Sequence, residues 1–165
     1  MDTTKLEIMA IDCMRHHGLM QQGWQFRWNE RKTALGVCKH RYHRIEFSRP
    51  FTLLNTEDTM LDVVLHEIAH AVIGSRHGHD SVWQMTAQSL GARPERCAAT
   101  AVEPPRKYQA ACPKCGRIFS RHNMPRRDSE GRNPRPQRCK CYRGQPWDAS
   151  QHLVYSTVVP LRSAQ

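Results

Sequence analysis

The sequence predicts an α+β domain over its first hundred residues, followed by a small cysteine-rich annex. Three observations predict it. Helical periodicity and strand-like alternation follow one another up to about residue 100. An almost wholly apolar helix then carries two histidines one turn apart. Two close cysteine pairs lie in the C-terminal third, which holds the whole net charge of the chain. A chain of 165 residues has room for one domain of ordinary size, about 100–150 residues, plus an annex.

Taken in order, Thr4 and Glu7 have the spacing of a capping box. Leu6, Ala10, Cys13 and His17 recur at helical intervals up to Gly18, so residues 5–17 are expected to form an amphipathic helix. Trp24, Phe26 and Trp28 alternate with polar residues, the period of a half-buried strand. Leu35 to Cys38 and Ile45 to Ser48 give two more short strands, and a three-stranded antiparallel meander is the simplest arrangement of the three. Asn55 and Asp58 mark the next cap. Met60 to Ile73 is apolar on nearly every side, the mark of a helix buried between other elements, and Gly74 or Gly78 stops it. Asp80 or Ser81 opens a further helix with Trp83, Ala87 and Leu90 on one face before Gly91. The expected organisation is a domain over 1–100, a linker over 101–107 around Pro104 and Pro105, a cysteine-rich unit over 108–145 and a tail over 146–165.

Hydrophobic residues make up 39% and charged residues 24%, enough for a core and against wholesale disorder. No stretch approaches the roughly 20 apolar residues of a membrane span, and the N-terminus lacks the apolar run of a signal peptide. Seven cysteines, four of them in two close pairs, suit metal thiolates in a reducing compartment better than a secreted disulfide framework, so a cytoplasmic setting is expected. The formal charge of +10 is lopsided. Residues 1–105 balance twelve basic against twelve acidic side chains, and residues 106–165 hold thirteen against three. Such a segment favours a polyanionic partner, and DNA is the natural one.

His66-Glu67-Ile68-Ala69-His70 is an HExxH motif within the apolar helix, and the spacing points both imidazoles to one side. That pattern suits one zinc ion, with Glu67 beside it to take a proton from the zinc-bound water and pass it to a leaving amine. A hydrolytic zinc needs a third protein ligand and one open position. His79, at the mouth of the following helix, is the favoured third ligand and His77 its rival. Tyr42, His77 and Tyr108 are candidates for stabilising an oxyanion. Burying a carboxylate and two imidazoles in an apolar helix is costly unless a metal compensates.

Cys112 and Cys115 form a CxxC knuckle, and Cys139 and Cys141 a tighter CxC pair further on. Together they are expected to close a structural zinc site, with His122 or Cys97 as substitutes for one of the second pair. Few apolar residues lie between Tyr108 and Arg143, so this annex is expected to rely on its metal to fold. Its loop carries Arg126, Arg127, Arg132, Arg135 and Arg138, with Arg121 just before it, and these guanidinium groups are the expected phosphate contacts. Aromatic residues are too sparse there to support base-specific readout.

The run from Trp24 through Leu35-Gly36-Val37-Cys38, Ile45 to Pro50 and Leu65 to Ala71, then Gly78-His79-Asp80 and Trp83, resembles the SprT-like family. The Cys112/Cys115 knuckle, Arg121-His122-Asn123, Arg138-Cys139 and Cys141 are similar to the zinc ribbon that follows the domain in bacterial and phage members. The resemblance spans about Trp24 to Gly144. It implies a small zincin-like metalloprotease domain related to Spartan, which degrades proteins crosslinked to DNA, in a bacterial cytosol or a phage-infected cell. It also implies His66, His70 and His79 as zinc ligands and Glu67 as the catalytic residue. The CxC pair departs from the family's ribbon. The leading expectation is therefore a zinc endopeptidase acting on DNA-associated protein. The rivals are a non-proteolytic zinc- and nucleic-acid-binding regulator, and a metallohydrolase of small amides.

Overall fold

Asp2 starts the first helix, its carboxylate accepting the Lys5 amide at 3.0 Å, and α1 runs Thr3–His16. In this computed structural model, which describes residues 1–95, 101–121, 123–124 and 137–158, the capping box expected from Thr4 and Glu7 does not form. Glu7 instead accepts the Trp28 indole N–H at 2.9 Å, tying the helix to the first strand. The buried stripe is Leu6, Ala10 and Met14, and Gly18, at φ 70°, turns the chain away.

Three strands follow: β1 Gln25–Asn29, β2 Gly36–Lys39 and β3 Arg44–Ser48. They do not form the antiparallel meander expected from their order. The sheet runs β1-β3-β2, with β3 in the middle, antiparallel to β2 and parallel to β1. The reason lies in burial. Ile45, Glu46, Phe47 and Ser48 of β3 are all buried, whereas β2 is only half-buried throughout, so the most buried strand takes the centre and β2 is left on an edge. A period of two reports that a segment is a strand, not which neighbours it takes.

A 3-10 turn, His40–Tyr42, joins β2 to β3 and ends at His43, which adopts φ 45°. Trp24 holds this turn in place, stacked on the His43 ring at 5.1 Å and edge-on to His40 at 5.5 Å.

The chain then forms a short helix, α2 Arg49–Leu54, which the sequence pattern does not anticipate. Ser48 caps it and Pro50 sits in its first turn, where a missing N–H does no harm. Helix α3, Glu57–Ile73, starts at Thr56, one residue from the expected cap. Asn55 is engaged elsewhere, exchanging hydrogen bonds with the Val102 backbone at 2.7 and 2.9 Å and so fastening the start of the expected linker to the first unit. Gly74, at φ 83°, ends α3, and Asp80 caps α4, Ser81–Ser89. α3 is buried on several sides. Met60, Val64 and Ile68 join α1 and the sheet in one core, while Ala69 packs with Trp83, Ala87 and Ala92 in another.

The chain divides into two compact units, Met1–Pro104 and Pro105–Gln165. In the second, β4 Tyr108–Ala111 pairs antiparallel with β5 Ile118–Arg121 on one side and β6 Val154–Thr157 on the other. The segment after residue 145, expected from the sequence to be a tail, therefore supplies a strand of this unit. Its small core is Ala110, Cys112, Cys139, Tyr142 and Leu153. Among the described residues no helix is long and apolar enough to cross a membrane.

Phe47 is fully buried at the centre of the first sheet and stacked on Phe26 at 5.6 Å. Replacing it with Ala should lower the unfolding free energy by about 3–5 kcal/mol, read from urea denaturation of the metal-loaded chain.

Candidate metal centre and active site

His66 and His70 leave α3 one turn apart, on the side facing the start of α4. The loop after Gly74 returns His79 to them. Its Nε2 lies 3.0 Å from Nε2 of His66 and 3.1 Å from Nε2 of His70. Beneath the three rings is Trp83, fully buried, its indole 4.5, 5.2 and 4.5 Å from the centroids of His66, His70 and His79. The Asp80 cap sets that indole in place, because Oδ1 accepts the Trp83 amide at 3.1 Å. Asp80 Oδ2 meets Nδ1 of His77 at 2.9 Å, and this contact holds the Asp80 carboxyl below its usual range.

Burial controls the protonation of these groups. Desolvation, with smaller contributions from the neighbouring imidazoles, pulls His66 and His70 down to about 4, so both are neutral with lone pairs available at neutral pH. Glu67, 7% exposed, responds in the opposite direction. Desolvation raises it to about 8, partly offset by a hydrogen bond from the Cys38 backbone N–H to its carboxylate. A cation set among the imidazoles would favour the ionised carboxylate.

Tetrahedral zinc, with bonds of about 2.0–2.1 Å to imidazole, separates its nitrogen ligands by about 3.3 Å. The His66–His79 and His70–His79 separations are close to that edge. Among the described residues, His66, His70 and His79 are grouped without a fourth His, Cys, Asp or Glu. Three nitrogen donors with one position open are the donor set of a hydrolytic zinc. The three imidazoles line a cavity of about 460 Å³ whose other walls include Gly36, Cys38, His40, Glu67 and His77. His77, the rival third ligand, is thus a wall of the cavity rather than a member of the cluster. Of the other oxyanion candidates, Tyr42 is 57% exposed on the β2–β3 turn, and Tyr108 opens β4 of the second unit.

Strand β2 forms one wall of the cavity. Ser48 donates to the Leu35 carbonyl at 2.8 Å, so by the alternation of an antiparallel pair Val37 and Lys39 bond to β3, while Gly36 and Cys38 turn their backbone groups outward. The outward Cys38 N–H faces the cavity that Glu67 also lines. Gly36 has no side chain where Glu67 passes: a Cβ there would lie 2.8 Å from Glu67 Cγ and 3.0 Å from Oε1. Sequence reasoning misses both features. A glycine inside a strand pattern was the available signal, since it marks a bulge or a close approach.

In the second unit, Cys112 Sγ lies 3.5 Å from Cys141 Sγ, and Cys115 Sγ lies 3.7 Å from Cys139 Sγ. All four sulfurs fall within 4.8 Å of one another. Four thiolates on tetrahedral zinc, at about 2.3 Å each, stand about 3.8 Å apart, so the four cysteines fit a closed structural site despite the CxC spacing. Cys97 and His122, the proposed substitutes, lie outside the described residues, as do Arg126, Arg127, Arg132 and Arg135. Arg121 sits over the Phe119 ring at 5.3 Å. Arg138 is engaged within its own unit, donating to the Gln145 carbonyl at 3.1 Å and to Gln151 Oε1 at 3.0 Å.

An α+β unit whose buried helix presents His66, Glu67 and His70, and whose next loop returns a third imidazole, is a metal-centre domain of the HExxH class. The model of the SprT-like family matches residues 8–103, more than half of the chain, and the chain belongs to that family. The match ends before the cysteine unit. A search of curated proteins finds no match. Among solved structures, the crystal structure of the metallopeptidase zymogen of Pyrococcus abyssi abylysin is similar over 50% of this chain and 76% of its own, at 19% identity and a TM-score of 0.42, a likeness too loose to bear on function.

The two donor sets differ enough to be counted separately. The full chain should hold two equivalents of zinc by elemental analysis, His79→Ala and Cys139→Ser should each hold one, and only Cys139→Ser should lose the fold of the second unit. Two equivalents in His79→Ala would remove that residue from the ligand set.

Proposed function

We propose that the chain is a zinc endopeptidase acting on DNA-associated protein, with His66, His70 and His79 as ligands and Glu67 as general base and acid. The observation that carries this reading is the convergence of three imidazoles beside a buried carboxyl, at the wall of a cavity large enough to admit a peptide segment. Zinc held there supplies Lewis-acid polarisation of the scissile carbonyl and lowers the pKa of the attacking water toward neutrality.

The chain's own residues account for the remainder. Glu67 takes the proton of the attacking water and returns it to the departing amine. An extended substrate lies along the free edge of β2, where the outward N–H and C=O of Gly36 are its pairing groups. His77, braced by Asp80, faces the developing oxyanion from the cavity wall. The absence of a fourth protein ligand among the described residues favours this reading over a closed, purely structural site.

Replacing Glu67 with Gln removes the proton carrier while conserving shape. Cleavage of a basic DNA-binding protein by this variant should fall at least about a hundredfold with zinc content unchanged. An unaltered rate would sink the mechanism.

The second unit is proposed to hold DNA through its basic surface, on the strength of the +10 confined to residues 106–165. Arg138 commits Nη1 to its own unit but stays exposed, so the phosphate contacts are assigned to Arg121, Arg126, Arg127, Arg132, Arg135 and Arg138. Replacing Arg126, Arg127, Arg132 and Arg135 with Gln should weaken single-stranded DNA binding. It should also flatten the plot of log affinity against log salt by about 3, at roughly 0.7 for each phosphate no longer neutralised. An unchanged slope in a binding titration would show that the charge lies elsewhere than at the phosphates.

A further inference from the structure

Glu67 is held from one side by its helix and from the other by strand β2, and β2 meets it in two ways. The outward-facing Cys38 N–H lies on the side of the strand where Glu67 lines the same cavity. Two residues earlier on the same outward-facing edge, Gly36 leaves open the space that the Glu67 side chain fills. A Cβ at 36 would stand 2.8 Å from Cγ, 3.0 Å from Oε1 and 3.2 Å from Cδ, well inside the roughly 3.5–4.0 Å of a carbon contact. Gly36 is not among the residues at positive φ, so its backbone conformation is one that any residue adopts. What excludes a side chain there is the carboxyl arm.

Nor can β2 withdraw. Its other edge is bonded to the buried central strand β3, and the turn that follows it is clamped by Trp24 against His40 and His43. A methyl group at 36 therefore acts on Glu67, whose side chain has other rotamers, rather than on the strand.

We propose that Gly36 and the Cys38 amide form a bracket that positions the Glu67 carboxylate, with Gly36 a positioning residue of the site. The proposal rests on the reading of Glu67 as the proton carrier but is stated at the level of geometry, so the two can fail separately. Displacing a catalytic group by about 1 Å can cost about a hundredfold in rate.

The experiment is a double-mutant cycle on the full, zinc-loaded chain between Gly36→Ala and Glu67→Ala, read by thermal unfolding and by the amide resonance of Cys38 in heteronuclear NMR. In the wild-type background Gly36→Ala should lower Tm and move the Cys38 amide upfield as its carboxylate acceptor is pushed away. In the Glu67→Ala background, where no Cγ remains to be struck, the same substitution should leave Tm unchanged or raise it. The two zinc equivalents should be kept throughout, and kcat on a protein substrate should fall about a hundredfold in Gly36→Ala with KM within about threefold of wild type. The same loss of Tm in both backgrounds, or a Cys38 amide unmoved by Gly36→Ala, would overturn the bracket. Coupling in Tm and in the amide, found with a wild-type chain that cleaves no protein, would support the bracket and overturn the hydrolytic reading instead.

Discussion

Everything in the first unit is arranged around the burial of α3. A helix that sits between α1, the sheet and α4 takes two imidazoles and a carboxyl out of water with it. Desolvation then drives all three toward their neutral forms. For the histidines this is an advantage, since a neutral imidazole is a ligand and a protonated one is not. For Glu67 it is a liability that only nearby positive charge and a good donor can correct. The Cys38 amide supplies the donor, and a dication among the imidazoles would supply the charge. The site is therefore complete in the electrostatic sense only when metal is bound.

The supporting parts follow from that constraint. Trp83 fills the space under the imidazoles with a rigid ring, its indole Nε1 buried without a hydrogen-bond partner. Asp80 fixes the helix that carries Trp83 and steadies His77 with its other oxygen. On the far side β2 must come close enough to touch Glu67, which a side chain at position 36 would prevent. The second unit addresses a different shortage. Its core among the described residues is only five buried residues, and four cysteine sulfurs within 4.8 Å of one another are placed where a metal would cross-link it.

Much of this was legible in the sequence, and what was missed has physical reasons. His66 and His70 were readable because helical periodicity places them on one side of α3, and His79 because a downstream cap signal puts it where the returning chain meets that side. The four cysteines were readable because two close pairs are the spacing of metal thiolates, although His122 or Cys97 remained open as substitutes for one of the second pair. The strand order was not. Alternation in Trp24, Phe26 and Trp28 says that β1 has two faces but is silent on its partner, and the parallel pairing with β3 depends on which strand the core buries most. Helix α2 was overlooked because Arg49–Leu54 is too short for periodicity, although Ser48 followed by Pro50 is a start signal. β6 was overlooked because its four residues follow a long irregular stretch. The Cys38 amide was invisible, because a backbone N–H leaves no chemical signature in a sequence, and Gly36 inside a strand pattern signals a close approach without saying to what.

The three-nitrogen donor set of α3 and the loop after it is distinct from the four sulfurs of the second unit, and the most direct measurement of that difference is cadmium NMR of the full chain loaded with two equivalents of the metal. It should show two resonances, one in the range of four thiolate ligands and one in the range of nitrogen and oxygen ligands, with only the second lost in His66→Ala. A single thiolate resonance, or a nitrogen-range signal that survives that substitution, would contradict the account.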